Sequence, residues 1–320
     1  MIVATKRILI TGGTGFAGSH LVEYLSKVEP DAELHLTALN KTADLPSENL
    51  DKHQIHEIDL ADQVATHALF SEVMPDRIYH LAALAEVGSS FTNVARTLTI
   101  NTQLQLSVLS ALHEVTPESR LLLIGSAQEY GMVEQSENPV DENQPFRPIN
   151  PYAVSKVAQD LLGYAYAQSY KLPIIRVRPF NHTGERQTTA FAIPAFAKQI
   201  VAIERDQQQV LKVGNLAAIR DISDVKDIVR GYQLLLEKGE VGQVYNIGSG
   251  VGVSMQAIVD ELRALASCEV PLEIDQERMR PIDVPELVAD ISVVSKLGWQ
   301  PDIPRVETLQ RILIFWRNQT

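Results

Sequence analysis

The chain has 320 residues, 45% of them hydrophobic and 21% charged, an ordinary composition for one large or two ordinary globular domains with a substantial core. Its formal charge of -12, without any Lys/Arg block, argues against nucleic acid or an anionic membrane surface as a partner, and no apolar run is long enough to span a bilayer. The single cysteine, Cys268, excludes an intramolecular disulfide and a cysteine-based metal cage, so no metal site is expected; the start, running from Met1 into a short apolar strand without a leader-like stretch, predicts a reducing, cytoplasmic setting.

Ile8-Leu9-Ile10-Thr11 reads as a buried parallel strand, and it ends in Gly12-Gly13-Thr14-Gly15-Phe16-Ala17-Gly18. Helical spacing through Leu21, Val22 and Leu25 follows. Strand, glycine turn and helix form the first half of a βαβ unit, and the glycines at 12, 15 and 18 let helix-start amides approach a pyrophosphate. A second strand spans 33–39. An acid often ends this strand to pair with the adenosine ribose, but here stand Leu39, Asn40 and Lys41. The missing carboxylate and Lys41 tilt the choice toward NADP, with NAD left open. A third strand over 56–60 puts Asp59 where it can accept from the adenine amino group. A fourth, Arg77 to Ala83, ends in small residues that let a flat cofactor pack closely, with His80 read as a packed core histidine.

Residues 93–112 and 152–170 each read as a long helix with apolar positions on more than one face, which predicts a homodimer packed through them. Between them, Arg120 to Gly125 is an apolar strand followed by Ser126, which is either a turn or capping serine or a donor to a substrate oxygen. The stretch Asn150-Pro151-Tyr152-Ala153-Val154-Ser155-Lys156 begins the second helix, and i and i+4 share a helix face. A lysine ammonium beside a phenol favours the phenolate and lowers its pKa, so Tyr152 with Lys156 reads as a general acid/base. The next strand, 173–178, leads into the loop Pro179-Phe180-Asn181-His182-Thr183-Gly184, after which strict strand-helix alternation weakens. The expectation is an α/β chain: a Rossmann-type doubly wound parallel sheet over 1–178, with 221–249 returning to it, and a smaller α/β substrate-binding domain over 179–320. Arg220 and Arg280, each beside an acid and a turn, are either surface residues or a diphosphate clamp.

Taken together, Thr11 to Gly18, His80-Leu81-Ala82-Ala83, Tyr152-Ala153-Val154-Ser155-Lys156 and Leu297-Gly298-Trp299-Gln300-Pro301 resemble the extended short-chain dehydrogenase/reductases that act on nucleotide sugars. Arg178 to Gly184, Val213-Gly214-Asn215-Leu216 and Arg278 to Pro285 are most similar to the GDP-4-keto-6-deoxymannose reductases and their GDP-mannose 4,6-dehydratase relatives. The resemblance implies that Ser126, Tyr152 and Lys156 are catalytic, with Asn101 supporting the lysine through a water or backbone link. It implies that Gly12, Thr14, Gly15, Phe16, Ala17, Gly18, Asn40, Lys41, Asp59, Leu60, Leu81, Ala82, Ala83 and Pro179 surround the dinucleotide. Val87, Ser126, Glu129, Asn181, Arg220 and Arg280 fall around the sugar nucleotide, the arginines on its diphosphate. The dehydratases need a further base, commonly a glutamate two residues before the tyrosine of the Ser/Thr-x-x-x-Tyr-Gly turn. That position here is Gln128, with Glu129 adjacent. The implied activity is NAD(P)H-dependent reduction of the 4-keto group of a nucleotide-linked 6-deoxyhexose, GDP-4-keto-6-deoxymannose to GDP-rhamnose; the alternatives are a 4,6-dehydratase, a 4-epimerase or a non-catalytic dinucleotide sensor. Glu185-Arg186 depart from the Pro-Gly turn usual at this point.

Overall fold

The structure is a computed structural model describing residues 5–39, 52–279 and 284–319. The chain runs β1 (Arg7–Thr11), α1 (Phe16–Val28), β2 (Glu33–Ala38), β3 (Gln54–Glu57), α2 (Gln63–Val73), β4 (Arg77–His80), α3 (Val87–Thr92), α4 (Val94–Glu114), β5 (Arg120–Ile124), α5 (Pro151–Tyr170) and β6 (Ile174–Pro179). It continues through β7 (Asn181–Thr183), α6 (Ala192–Glu204), β8 (Leu211–Val213), β9 (Ile219–Asp224), α7 (Val225–Lys238), β10 (Val244–Ile247), β11 (Gly252–Ser254), α8 (Met255–Ala264), β12 (Leu272–Ile274), β13 (Glu286–Leu287), α9 (Ser292–Ser295) and α10 (Arg305–Asn318).

Ile8, Leu9 and Ile10 are all apolar because β1 lies inside a seven-stranded parallel sheet of order β10-β6-β5-β4-β1-β2-β3 and is covered on both faces. Alternation assigns the faces. Ile8 and Ile10 join Leu21, Val22 and Leu25 of α1 and Ile228, Val229 and Leu235 of α7. Leu9 points the other way, onto Phe70 of α2 and Val108 and Leu112 of α4. This is the doubly wound Rossmann-type α/β fold expected from the strand-helix alternation. The strand order reverses between β1 and β4, and ligands in such sheets bind beyond the carboxyl ends of the strands at that reversal.

After β6 the chain leaves this sheet, builds β7 to β9 and α6, and crosses back so that β10 pairs with β6. A second, smaller sheet holds β11, β9 and β13 in that order with β7 also against β9, and β12 pairs with β8. Its core is Phe196 and Ile200 of α6, Ile258 and Leu262 of α8, and Leu309, Ile312 and Leu313 of α10. The Leu-Gly-Trp-Gln-Pro tail motif is a packing device: Trp299 is wholly buried on α7, donates from its indole to Asp227 O at 3.3 Å, and leaves no room for a side chain at Gly231.

Two strands differ from their sequence boundaries by more than one residue at an end. β3 is earlier than 56–60, because its register pairs His35 with Gln54 and Ala38 with Glu57, and at Asp59 the carboxylate turns the chain by accepting from Ala61 N at 2.9 Å. β4 ends at His80, since Leu81 N and Ala82 N are drawn to Thr11 O and Thr11 Oγ1 above the glycine turn. Among the described residues no helix is long and apolar enough to cross a membrane.

Candidate active site

At the carboxyl ends of β1, β4, β5 and β6 a cleft of about 650 Å³ separates the large sheet from the smaller one. Its sheet side carries Gly12, Gly15, Phe16, Ala17 and Gly18, with Leu81, Ala82 and Ala83 beside them. Gly12 has φ +65, and a Cβ on Gly18 would lie 2.2 Å from Gly12 O, so neither position accepts a side chain without strain or collision. Gly15 caps α1 and no side chain caps its first-turn amides, so those donors remain for an anion at the cleft. These residues fit a dinucleotide pyrophosphate.

On the face of the large sheet away from α1, α5 starts as its sequence dictates. Asn150 Oδ1 accepts from Ala153 N at 2.8 Å and Pro151 occupies the first turn, where its missing N–H costs nothing. Tyr152 and Lys156 are thereby set one turn apart on one face, both buried and both lining the cleft together with Ser126 from the end of β5. The expectation that Lys156 lowers the phenol pKa is corrected. Burial pushes the Tyr152 phenol up to about 12, opposed by a hydrogen bond with Ser126, while the Lys156 ammonium donates to Ile124 O at 2.8 Å. Tyr152 is therefore a neutral acid across the physiological range.

Burial pulls the Lys156 ammonium down to about 8 against the opposing Glu129 charge. Below that pH the lysine is cationic in the free protein and above it neutral. We expect kcat/KM for reduced dinucleotide to fall as pH rises through about 8, and Lys156→Met to lose that limb in a pH-rate series. Stability carries the opposite sign. The native state holds this proton more weakly than the unfolded chain, so the group's cost to folding is full below about 8 and shrinks as pH rises toward the ordinary 10.5.

Glu129 does not reach the cleft, which corrects its placement among the substrate contacts. It is wholly buried, its Oε1 accepts from Ser126 N at 2.7 Å, and its Oε2 lies 3.1 Å from Arg178 Nε. Burial, followed by the charge of Asp160, pushes its carboxyl well above the usual range, with Arg178 pulling the other way. Gln128 lines the cleft instead, its backbone N–H donating to Ser126 Oγ at 3.2 Å. Asn101, expected to support the lysine through a water or backbone link, has side-chain partners of its own. Its side-chain amide donates to Leu84 O and Ser155 Oγ and accepts from Leu84 N, which fixes the segment after β4.

Val87, Pro179, Asn181 and Arg220 all line the cleft, with Arg220 Nη1 donating to Ile219 O at 2.8 Å. Thr14, Asp59 and Leu60 do not line it; Asp59 is exposed and turned onto Ala61. Asn40, Lys41 and Arg280 lie outside the described residues. His80 is packed as expected, bonded to Thr11 Oγ1 at 2.7 Å and held neutral by burial, with Lys156 adding to the effect. Sequence reading missed Gln187, Phe191, Phe196, Asn215 and Arg278 in the lining. Arg278 and Asn215 had a signal, standing in the family-like segments Arg278 to Pro285 and Val213-Gly214-Asn215-Leu216; the others come from a loop and a helix whose facing is set by the second core. Among the described residues no aspartate or glutamate lines the cleft, and no group of side chains there or elsewhere is arranged to hold a metal ion.

A family model described as GDP-mannose 4,6 dehydratase matches residues 9–312. The chain belongs to the GDP-mannose 4,6-dehydratase family. Among relatives of this family member, the GDP-6-deoxy-D-mannose reductase of Pseudomonas aeruginosa is 32% identical over 317 residues, covering 98% of each chain. The structure of RMD from Pseudomonas aeruginosa complexed with NADPH matches with a TM-score of 0.86 and 32% identity, over 99% of this chain and 100% of that one. The UDP-glucose 4-epimerase of Thermus thermophilus, in complex with NAD, also matches at 0.86, with 25% identity over 98% of this chain and 100% of that one. The resemblance to extended short-chain dehydrogenase/reductases drawn from the motifs therefore holds for this family member across nearly its whole length.

Proposed function

We propose that the protein is an NAD(P)H-dependent reductase acting on the 4-keto group of a nucleotide-linked 6-deoxyhexose, converting GDP-4-keto-6-deoxymannose to GDP-rhamnose. The carrying observation is the composition of the cleft wall: Ser126, Tyr152 and Lys156 are present and, among the described residues, no carboxylate is. Dehydration requires a base for the proton beside the carbonyl, and Gln128 has none to offer at neutral pH. His182, the histidine in the lining, bonds Phe180 O through Nδ1 and lies against Phe16 at the glycine turn. Lys156, Arg220 and Arg278, the last paired with Asp275 at 3.3 Å, bring basic side chains to the cleft of a chain of net charge -12, which suits a dinucleotide and a sugar diphosphate.

Bound reduced nicotinamide supplies the hydride to the carbonyl carbon. Ser126 holds the carbonyl oxygen, and Tyr152, held neutral by its burial, donates its proton to the alkoxide as it forms. Lys156, its ammonium directed at Ile124 O, would hold the nicotinamide ribose. Asn101 acts at one remove by fixing Leu84 and Ser155. Of the two dinucleotides, NADPH is favoured by the P. aeruginosa complex, against the NAD of the T. thermophilus epimerase. Mixing the protein with GDP-4-keto-6-deoxymannose and either NADPH or NADH should give a stoichiometric fall in the reduced-nicotinamide absorbance. No fall with either, together with an altered sugar from GDP-mannose or another sugar nucleotide, would replace the reductase by a dehydratase or epimerase.

The second part of the proposal is a homodimer through α4 and α5. Val154, Leu161 and Tyr164 stand exposed on α5, Leu161 at 50%, with Val94 exposed on α4. The intervals of seven and three put the α5 residues on one helix face. Leu161→Glu should turn a dimer into a monomer in sedimentation at micromolar concentration; a monomeric parent protein would remove this part.

A further inference from the structure

Glu185 and Arg186 stand where the family resemblance expects Pro-Gly, and the structure shows what they do there. Arg186 has φ +70, a conformation that favours glycine, so a long side chain at this point is strained and must be held by its contacts. Its guanidinium grips Glu23 of α1 with Nη1–Oε1 2.5 Å and Nη2–Oε2 3.1 Å. The side chains of the pair are only 12% and 23% exposed, which limits screening by solvent. Glu185 faces the opposite way. Its Oε1 accepts from Lys226 Nζ of α7 and from Arg311 Nε of α10, each at 3.0 Å. Arg311 also pairs with Asp224, the cap of α7, which takes the Thr308 hydroxyl of α10 at 2.6 Å. The Glu185 carbonyl is joined to His20 Nε2 of α1 at 3.0 Å.

Two consecutive residues thus tie the first helix of the large sheet to its neighbour α7 and, across the cleft, to α10 of the smaller sheet's core. The segment they anchor lines that cleft. His182 stacks on Phe16 with ring centroids 6.0 Å apart and planes at 10°. Thr183 Oγ1 donates to Gln187 Oε1 at 2.7 Å, and both residues face the cleft.

We propose that Glu185 and Arg186 form an ionic clasp that holds segment 181–191 against α1, so that Thr183 and Gln187 are positioned for the nucleotide sugar while the glycine turn binds its dinucleotide unaided. The effect on sugar affinity rests on the function proposed above; the closure of the segment does not. Arg186 and Glu23 are positioning residues, because neither lines the cleft.

The test is amide hydrogen exchange on the full chain, comparing wild type with Arg186→Gln, Glu23→Gln, the double variant and Arg186→Gly. Either single charge removal should speed exchange of residues 182–188 by about tenfold or more, the scale of a charged hydrogen-bonded pair, with no further gain in the double variant. Arg186→Gly relieves the left-handed strain, so it should keep or raise Tm and yet exchange like Arg186→Gln. In turnover, KM for the keto-sugar should rise about tenfold in the same variants, with kcat and the Kd of NADPH within about twofold. Unchanged protection of 182–188, or a uniform loss of protection over the whole chain, would overturn the clasp. Absence of turnover in wild type would count against the reductase alone, because the exchange result decides the clasp without it.

Discussion

Tyr152→Phe is expected to lower kcat by at least ~10²-fold while NAD(P)H still binds. The substitution keeps the buried ring and removes one oxygen, so packing at the start of α5 and the Asn150 cap are preserved. What disappears is the proton that must reach the alkoxide as hydride arrives at carbon. No neighbouring group replaces it: Ser126 is a far weaker acid, and Lys156 directs its ammonium at Ile124 O, 2.8 Å away. Dinucleotide binding relies on the glycine turn and should be retained, so titration of NADPH fluorescence separates lost chemistry from lost folding. Full turnover in this variant would remove Tyr152 as the acid.

Arg178→Met is expected to cost about 3–5 kcal/mol in unfolding free energy, the scale for removing one partner of a buried ion pair. Arg178 Nη2 lies 2.8 Å from Asp160 Oδ2, its Nε faces Glu129, and its Nη1 donates to Tyr130 OH and Glu142 O at 3.0 Å each. Both carboxylates are wholly buried, so without Arg178 they are left short of compensating charge, Asp160 keeping only Arg176 at 2.9 Å. Methionine fills part of the volume beneath Phe146, over which the guanidinium sits at 4.6 Å, but supplies no charge. Glu129 is already raised by burial, and the native state of the variant should bind its proton more tightly than the unfolded chain does. Its deficit should therefore be smaller at pH 5 than at pH 7 in urea titrations. Activity should fall with stability, since Glu129 fixes the backbone at Ser126.

Much of this site was legible in the sequence because its signals are local. The glycine turn needs residues within one strand-to-helix connection, and its close approaches, such as Gly18 against Gly12, lie six residues apart. The Asn150 cap, Pro151 and the Tyr152–Lys156 spacing likewise depend on one helix turn. The continuous burial of β1 and β5 follows from strands covered on both faces.

Where a side chain goes when two neighbours compete was not legible. Gln128 and Glu129 are adjacent, and only the position of Arg178, from a strand some fifty residues later, draws the carboxylate inward and leaves the amide on the cleft. That the Asn101 amide holds Leu84 and Ser155 was likewise not legible, since both partners lie far from it in the chain. Lys156 was expected to act on Tyr152, and the carbonyl of Ile124 receives its ammonium instead. By itself the sequence determined the doubly wound sheet, the glycine turn, and the serine, tyrosine and lysine brought to one cleft, because short-range geometry and burial periodicity specify them. Only the tertiary structure decided which carboxylates are withdrawn from that cleft and how Glu185 and Arg186 tie its two sides together, because ion pairs form between elements far apart in the chain and their partners are chosen by packing.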